Sequence, residues 1–391
     1  MKKQKLLAMT STLLVLLVVI LPALSGDGAV FAQPKKEYLI GRLVGLTGTA
    51  GFWGEGIRAA SEMAVEEINA AGGINGVPIR YGYYDTAWQA RPGIEGFTKL
   101  VDVDKVAVVA IGGSAVIPAV KPLAEDRKMP LINDAAYLED TDYQGNKYFV
   151  GFQVTRGQMN NGVVGILDEL GVSKIAIEYG NTAQTVGMAN GIRKIWTGKG
   201  KQVVAFESHE LDQKDFRSLL VKLKGSNPDV VVHIPYGWSE AALFFSQMKE
   251  MGWKPQVVST TNMFGANILK QAGDAVEGTI ITMGGFNMFD TSNRKLQEVE
   301  AKFKARTGKS LADYSDWAAL AYDGTYMIAQ AIKQGGYTPE GINRALHEIK
   351  DFRGITGKMT IDPVTGLAQK SLGKAWVRNG QWALWQGEKR R

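Results

Sequence analysis

The chain reads Tyr38-Leu39-Ile40-Gly41-Arg42-Leu43-Val44-Gly45-Leu46 near its start and then turns through glycines into the helical pattern Ile57, Ala60, Met63, Ala64 and Ile68. The first run has the apolar content of a buried strand, and the second places its apolar residues on one face of a helix. A glycine-rich turn over 72–76 leads into another strand-like run over 77–84. A strand, a helix and a second strand in this order predict a parallel β-α-β unit.

The same alternation continues through most of the chain. Helical patterns are predicted at 93–101, 118–127, 162–170, 185–196, 216–223 and 241–251. Short apolar runs lie between them at 106–111, 130–132, 174–177, 203–206, 230–234 and 256–259. Strands that alternate with helices of this length predict an α/β fold, in which parallel sheets are covered by helices on both faces.

The last third has a different rhythm and bears on the number of domains. Helical patterns at 295–306, 317–333 and 339–349 have few strands between them, and a hairpin signal at Asn379-Gly380 joins runs at 374–378 and 382–385. A chain of 391 residues exceeds the usual size of one hydrophobic core, so two domains are expected. No proline- or serine-rich linker divides them, which predicts that several chain crossings form a hinge.

The N-terminus has the order of a secretory signal peptide. A basic start, Met1 to Lys5, precedes an apolar stretch over 13–21 and the small-residue end Val30-Phe31-Ala32. We expect residues 1–32 to be removed by cleavage after Ala32. A membrane anchor is the alternative, but the apolar run stops well short of the roughly 20 residues that a spanning helix needs. The chain has no cysteine for a disulfide or a lipid anchor, so a free periplasmic protein is expected.

Charge and motifs exclude several classes of function. The 45 basic and 39 acidic residues are interspersed without a basic block, so we expect no nucleic-acid partner. Gly51 to Gly56 is spaced G-x-x-G-x-G, which is not the dinucleotide-binding pattern, and Gly308-Lys309-Ser310 lacks the first glycine of a phosphate-binding loop.

Catalytic side chains are also scarce. His209, His233 and His347 have no metal-ligand spacing, and there is neither a thiol nor a G-x-S-x-G serine. We therefore expect no enzyme activity, no cofactor and no metal. Carboxylates brought together only in space are the alternative that one sequence leaves open.

Four segments in order carry a family resemblance: Trp53-Gly54 with the helix exit 68–74, Asp215-Phe216 with Pro228-Asp229, Gly273 to Gly278, and Ala321-Tyr322-Asp323. Together they resemble the branched-chain amino acid (Leu/Ile/Val) type of periplasmic binding protein over nearly the whole length. The resemblance implies a two-lobed type I periplasmic binding fold with three hinge crossings and ligand in the cleft. Mapped onto this chain, it implies a first lobe at 36–154 plus 283–354 and a second at 155–282 plus 355–391.

The resemblance also implies a function. The chain would be the extracytoplasmic solute-binding protein of an ABC importer, capturing a small carboxylate-bearing solute and delivering it to membrane permease subunits. A monomer is expected. The alternative is a sensory binding module of the same fold that feeds a receptor.

Ser114 is the strongest candidate for a ligand contact. The run Ile111 to Ser114 leaves a strand and enters a helix that is expected to begin near Ala115. A helix start offers unpaired N–H groups and a positive dipole end, which suit a carboxylate. The family places a carboxylate-binding serine at the matching position. The alternative is an ordinary N-cap.

Further site residues follow from the resemblance. Ala135 and Ala136 match the next strand exit, whose backbone groups complete the carboxylate site, and Tyr137 stands where a threonine is usual. Trp53 matches an aromatic residue that lines the apolar side of the ligand. Tyr236, with Trp238 nearby, matches the aromatic contact of the second lobe.

Two positions depart from the family pattern. Gln184 stands where relatives have a tyrosine, and Thr261 stands where they have the glutamate that balances the ligand ammonium. Burying an ammonium without a counter-charge is costly. We therefore expect a solute without an α-ammonium, such as an aromatic or branched carboxylate. Two alternatives stay open: Asp134 reaches the cleft and substitutes for the missing charge, or the faces of the aromatic residues hold the cation.

Overall fold

The computed structural model describes residues 37–284, 288, 289, 292–370 and 372–388. The expected signal peptide over 1–32 lies outside the described residues. Among the helices that are described, none combines the length and apolar character needed to cross a membrane.

The first sheet is parallel and has the strand order β2-β1-β3-β4-β5. Its strands are β1 (Tyr38–Val44), β2 (Ile79–Asp85), β3 (Val109–Gly112), β4 (Leu131–Ala135) and β5 (Phe149–Gly151). The helices around it are α1 (Gly51–Ala70), α2 (Ala90–Thr98), α3 (Val116–Asp126), α9 (Arg294–Thr307), α10 (Trp317–Gly335) and α11 (Pro339–His347). Separate apolar clusters bury its two faces, as expected for a parallel sheet.

The second sheet has the order β15-β14-β10-β9-β8-β6-β7 and carries an antiparallel hairpin at one edge. Its strands are β6 (Lys174–Gly180), β7 (Gln202–His209), β8 (Val230–Ile234), β9 (Gln256–Ser259), β10 (Ile280–Thr282), β14 (Lys374–Arg378) and β15 (Gln381–Leu384). Its helices are α4 (Arg156–Glu169), α5 (Ala183–Gly198), α6 (Arg217–Gly225), α7 (Trp238–Glu250) and α8 (Ala266–Ala272). Asn379 and Gly380 have φ values of 53° and 70°, the left-handed pair that a tight hairpin requires.

A small third sheet changes the expected division of the chain. It consists of β11 (Phe352–Gly354), β12 (Gly357–Ile361) and β13 (Ala368–Gln369). Met359, Ile361 and Ala368 are buried in the same apolar cluster as the first sheet, and Leu367 pairs with Gly151. Residues 355–369 thus contact the first lobe, although the expected division put them in the second. We propose a boundary between β13 and β14 instead.

The helices and strands position a cleft between the sheets. The chain passes from the first sheet to the second between β5 and α4, returns between β10 and α9, and passes again before β14. The parallel strands of each sheet end at one edge, so the loops that follow β1 to β4 lie together, as do those that follow β6, β8 and β9. Ligand sites of open parallel sheets form at such edges.

Candidate solute-binding cleft

A cavity of about 580 Å³ lies where the two sets of loops meet. From the first lobe it is lined by Thr49, Trp53, Ala87, Trp88, Gln89, Gly113, Ser114, Ala115, Ala135 and Tyr137, and at the start of α10 by Ser315 and Trp317. The second lobe contributes Gln184, Tyr236, Thr261, Asn262 and Phe264. Within the described part of the chain, this lining contains no charged side chain and no histidine. Its chemistry is that of hydroxyls, amides and aromatic rings.

Ser114 lies in the cavity wall at the start of α3. The residue that caps this helix is Ala115, which makes no side-chain capping bond, so the alternative of Ser114 as an ordinary N-cap does not hold. Ser114 is exposed, and among the described residues neither its N–H nor that of Ala115 has a hydrogen-bond partner. Two N–H groups and a hydroxyl at a helix N-terminus form a suitable place for a carboxylate.

Tyr137 lines the cavity, but its hydroxyl is occupied. The phenol donates to Asp316 Oδ1 at 2.8 Å, and Ser315 Oγ lies 3.4 Å from the phenol oxygen. Burial, followed by the nearby Asp316 carboxylate, raises the pKa of Tyr137 well above its usual value. A free phenol could donate a hydrogen bond to a ligand. In the structure its hydrogen points to Asp316 instead, and Tyr137 presents mainly its ring.

Aromatic rings form the apolar wall of the cavity. The ring of Trp317 lies 5.1 Å from that of Trp53 and 5.2 Å from that of Trp88, both edge to face. Tyr236 is 55% exposed and faces this group from the second lobe. Trp88 and Trp317 were not anticipated from the sequence, because neither stands in a segment that the family resemblance marked.

Two of the expected site residues lie behind the wall. Ala136 is buried, and its carbonyl accepts a hydrogen bond from Asn133 Nδ2 at 2.8 Å. Trp238 packs 5.8 Å from the ring of Trp53, and its indole N–H donates to the carbonyl of Phe264. Neither residue lines the cavity.

The acidic residues near the cavity do not line it. Asp134 was the possible substitute counter-charge, but it is buried and accepts two hydrogen bonds of 2.8 Å from the guanidinium of Arg42. Asp316 is buried behind Tyr137, and burial raises the pKa of its carboxyl. Gln184 and Thr261, the two departures from the family pattern, both line the cavity.

A buried cluster of ionisable side chains is hydrogen-bonded to the backbone at Tyr236. Glu178 accepts hydrogen bonds from His209 and His233, and Glu240 accepts from the backbone N–H groups of Tyr236 and Gly237. His209 Nε2 lies 3.4 Å from Glu240 Oε1, which links the two halves of the cluster.

The charges in this cluster stabilise each other. Burial disfavours both ionised forms, yet the histidines lower the pKa of Glu178 to about 2, and the carboxylates of Glu178 and Glu240 raise the pKa of His209 to about 9. His209 and His233 are well separated in the sequence, but the parallel strands β7 and β8 bring both side chains to Glu178. No group of three or more ligating side chains is arranged for a metal ion anywhere in the described residues.

The comparisons with known proteins agree with this architecture. The profile of the family described as periplasmic binding protein matches residues 37–380. The Leu/Ile/Val-binding protein homolog 1 of Brucella abortus is 27% identical over 335 residues, covering 83% of this chain and 86% of that protein. The leucine-, isoleucine-, valine-, threonine-, and alanine-binding protein of Pseudomonas aeruginosa is 28% identical over 322 residues, covering 81% of this chain and 83% of that protein.

Solved structures give the same result. The branched-chain amino acid transporter substrate-binding protein LivJ of Streptococcus pneumoniae, in complex with isoleucine, has a TM-score of 0.77 and 26% identity over 89% of this chain and 98% of its own. A solute-binding protein of an ABC transporter from Rhodopseudomonas palustris, in complex with p-hydroxybenzoic acid, has a TM-score of 0.76 over 88% of this chain and 95% of its own. At 17% identity, the second likeness shows the fold alone.

The Brucella, Pseudomonas and Streptococcus proteins are solute-binding proteins of the branched-chain amino acid type and not enzymes. The expected family, the type I fold and the expectation of a binding protein without catalysis are confirmed. The family location is extracytoplasmic, and its members bind small molecules and interact with membrane permeases. The chain belongs to the periplasmic binding protein family.

Proposed function

We propose that this protein is the solute-binding subunit of an ABC importer and that it captures a small carboxylate without an α-ammonium, such as an aromatic or branched carboxylate. The family and the transporter relatives support the importer role. The named relatives are binding proteins and transporter components, which favours permease subunits as partners over the receptor of a sensory module.

The observation that carries the solute class is the uncharged lining of the cavity. At one end, the N–H groups of Ser114 and Ala115 and the Ser114 hydroxyl suit a carboxylate. From the second lobe, Thr261 supplies a hydroxyl where the family resemblance implies a carboxylate. An ammonium enclosed there would have neutral dipoles and aromatic faces around it. A ring face offers a cation about 0.5–2 kcal/mol, whereas losing one partner of a buried charge pair costs about 2–5 kcal/mol of affinity.

An amino acid is the competing solute, and Asp316 is the observation that favours it. Its carboxylate accepts hydrogen bonds from Tyr137 and Ser315, two residues of the cavity wall. A rotation of Tyr137 would bring an ammonium within reach of this carboxylate. Against this, Asp316 already has the Tyr137 hydroxyl as a donor, and exposing it requires a buried ring to move.

Calorimetry with leucine and 4-methylpentanoate, its analogue without the amino group, tests the proposal. We expect 4-methylpentanoate to bind at least about tenfold more tightly than leucine. A tenfold difference in affinity corresponds to about 1.4 kcal/mol, which is less than the cost of burying the ammonium without a partner. The control is Asp316→Asn, which should leave the binding of 4-methylpentanoate unchanged. Tighter binding of leucine, lost in Asp316→Asn, would establish the amino-acid alternative.

The same proposal includes the movement and the assembly state of the protein. The passages between the sheets allow the lobes to rotate about a hinge and enclose the solute while each apolar core stays intact. We propose a monomer that has no nucleic-acid partner and presents both lobes to the permease. Export by the N-terminal segment remains part of this proposal.

A further inference from the structure

Trp88 is held in a conformation that bulky residues seldom adopt. Its φ is 56° and that of Ala87 is 43°, both in the left-handed region that costs energy for residues with a side chain. Local hydrogen bonds maintain this turn. Asp85 Oδ1 accepts from the N–H of Ala87 at 2.9 Å, and Thr86 Oγ1 accepts from the N–H of Trp88 at 3.2 Å.

Two glycines make room for the ring that this turn presents. A Cβ at Gly113 would lie 2.7 Å from Trp88 Cδ1, and a Cβ at Gly45 would lie 3.0 Å from the same atom. The pyrrole edge of the indole is therefore clamped against the backbone that follows β1 and β3, and its Nε1 is buried. Trp88 and Ser114 both line the cavity. These contacts restrict the positions that the indole can take.

Trp88 and Trp317 together form a corner. Their ring centroids are 5.2 Å apart, and their planes meet at 81°. A flat ring can lie parallel to one indole and place its edge on the face of the other, which are the two favoured arrangements of aromatic pairs. A puckered or branched body fits neither wall as closely, because its hydrogens stand out of any plane.

We infer that Trp88 is a specificity-determining residue and that it selects carboxylates with a planar, aromatic body over aliphatic ones of the same size. The inference rests on the proposed function, since it takes the carboxylate to bind at Ser114 and Ala115, next to Gly113 and the indole that Gly113 accommodates. It adds the shape of the solute to the proposed function and names the residue that recognises this shape.

Calorimetry with benzoate, cyclohexanecarboxylate and 4-methylpentanoate tests the inference. The first two acids differ in the planarity of the ring and little in size. We expect the wild-type protein to bind benzoate about fivefold more tightly than cyclohexanecarboxylate, in the middle of the range for an aromatic pair. In Trp88→Leu the preference should fall to less than about twofold, and in Trp88→Phe part of it should remain.

Trp253→Leu is the matched control, because Trp253 packs on the second lobe away from the cavity. It should keep the wild-type preference. The inference is overturned if the wild type binds cyclohexanecarboxylate as tightly as benzoate, a result that needs no variant to fold. It is also overturned if Trp88→Leu weakens both acids equally.

The outcomes separate the inference from the proposed function. If 4-methylpentanoate binds and benzoate binds no more tightly than cyclohexanecarboxylate, the inference alone is overturned. Binding of none of the three acids would overturn the proposed carboxylate solute and the inference with it.

Discussion

Replacing Ser114 by alanine separates a ligand contact from a structural role. Ser114 is exposed and does not cap α3, because Ala115 occupies the N-cap. Removing the hydroxyl should therefore change the free energy of unfolding by no more than about 0.5 kcal/mol, as for a surface substitution. A carboxylate ligand should lose one hydrogen bond to a charged group, worth about 1.5–3 kcal/mol. That loss corresponds to roughly 10- to 150-fold in affinity.

A capping threonine elsewhere in the chain provides the control. Thr338 caps α11, where its hydroxyl accepts from the N–H of Gly341 at 3.2 Å, and it lies outside the cavity. Thr338→Ala should lower the free energy of unfolding by about 1 kcal/mol and leave the affinity unchanged. Urea denaturation and titration calorimetry with benzoate measure the two quantities for each variant.

The two variants should thus show opposite patterns. Ser114→Ala should be stable and weak in binding, and Thr338→Ala should be less stable and normal in binding. An unchanged affinity in Ser114→Ala would place the carboxylate elsewhere in the cleft. A clear loss of stability in Ser114→Ala would show that the hydroxyl supports α3 after all.

Three further predictions concern the core, the ionic cluster and the lobes. Asp134→Leu alone should destabilise the first lobe by about 3–5 kcal/mol because it leaves Arg42 buried without a partner, and the double variant with Arg42→Met should recover most of the loss in urea denaturation. The raised pKa of His209, about 9, means that its contribution to stability is full below the unfolded value of about 6.5 and is lost as the pH rises through 9. His209→Gln should therefore flatten the decline in the free energy of unfolding between pH 6.5 and 9, and an equally steep decline in the variant would assign it to another group. Small-angle scattering should show a smaller radius of gyration with saturating benzoate, and an unchanged radius would count against closure of the lobes.

Much of the fold followed from local patterns. The runs at 230–234 and 256–259 are strands β8 and β9 with the expected bounds, and the turn Asn379-Gly380 joins β14 to β15. These predictions succeed because side-chain periodicity and turn geometry depend on neighbours in sequence. The short strands β11 to β13 were not predicted. Their stability comes from burial against the first sheet, which is remote in sequence.

The site was only partly predictable, for a related reason. Trp53, Ser114, Ala135, Tyr137 and three positions in the second lobe were expected and do line the cavity, because strand exits and family motifs mark them. Whether they contact a ligand stays a prediction. Trp88 was not predicted. It and Ala87 adopt positive φ just before α2, and no sequence pattern indicates positive φ at an alanine or a tryptophan.

The sequence by itself determined the alternation of strands and helices, the lack of a catalytic or metal-binding motif and the membership of the family. Only the tertiary structure decided which polar groups are available. Asp134 is neutralised by Arg42 and the Tyr137 hydroxyl is taken by Asp316, partners that lie 92 and 179 residues away in the chain. The same folding leaves the N–H groups of Ser114 and Ala115 without a partner among the described residues, and it places Trp88 beside them. Pairing of buried polar groups is a property of packed neighbours, which the order of residues along the chain does not specify.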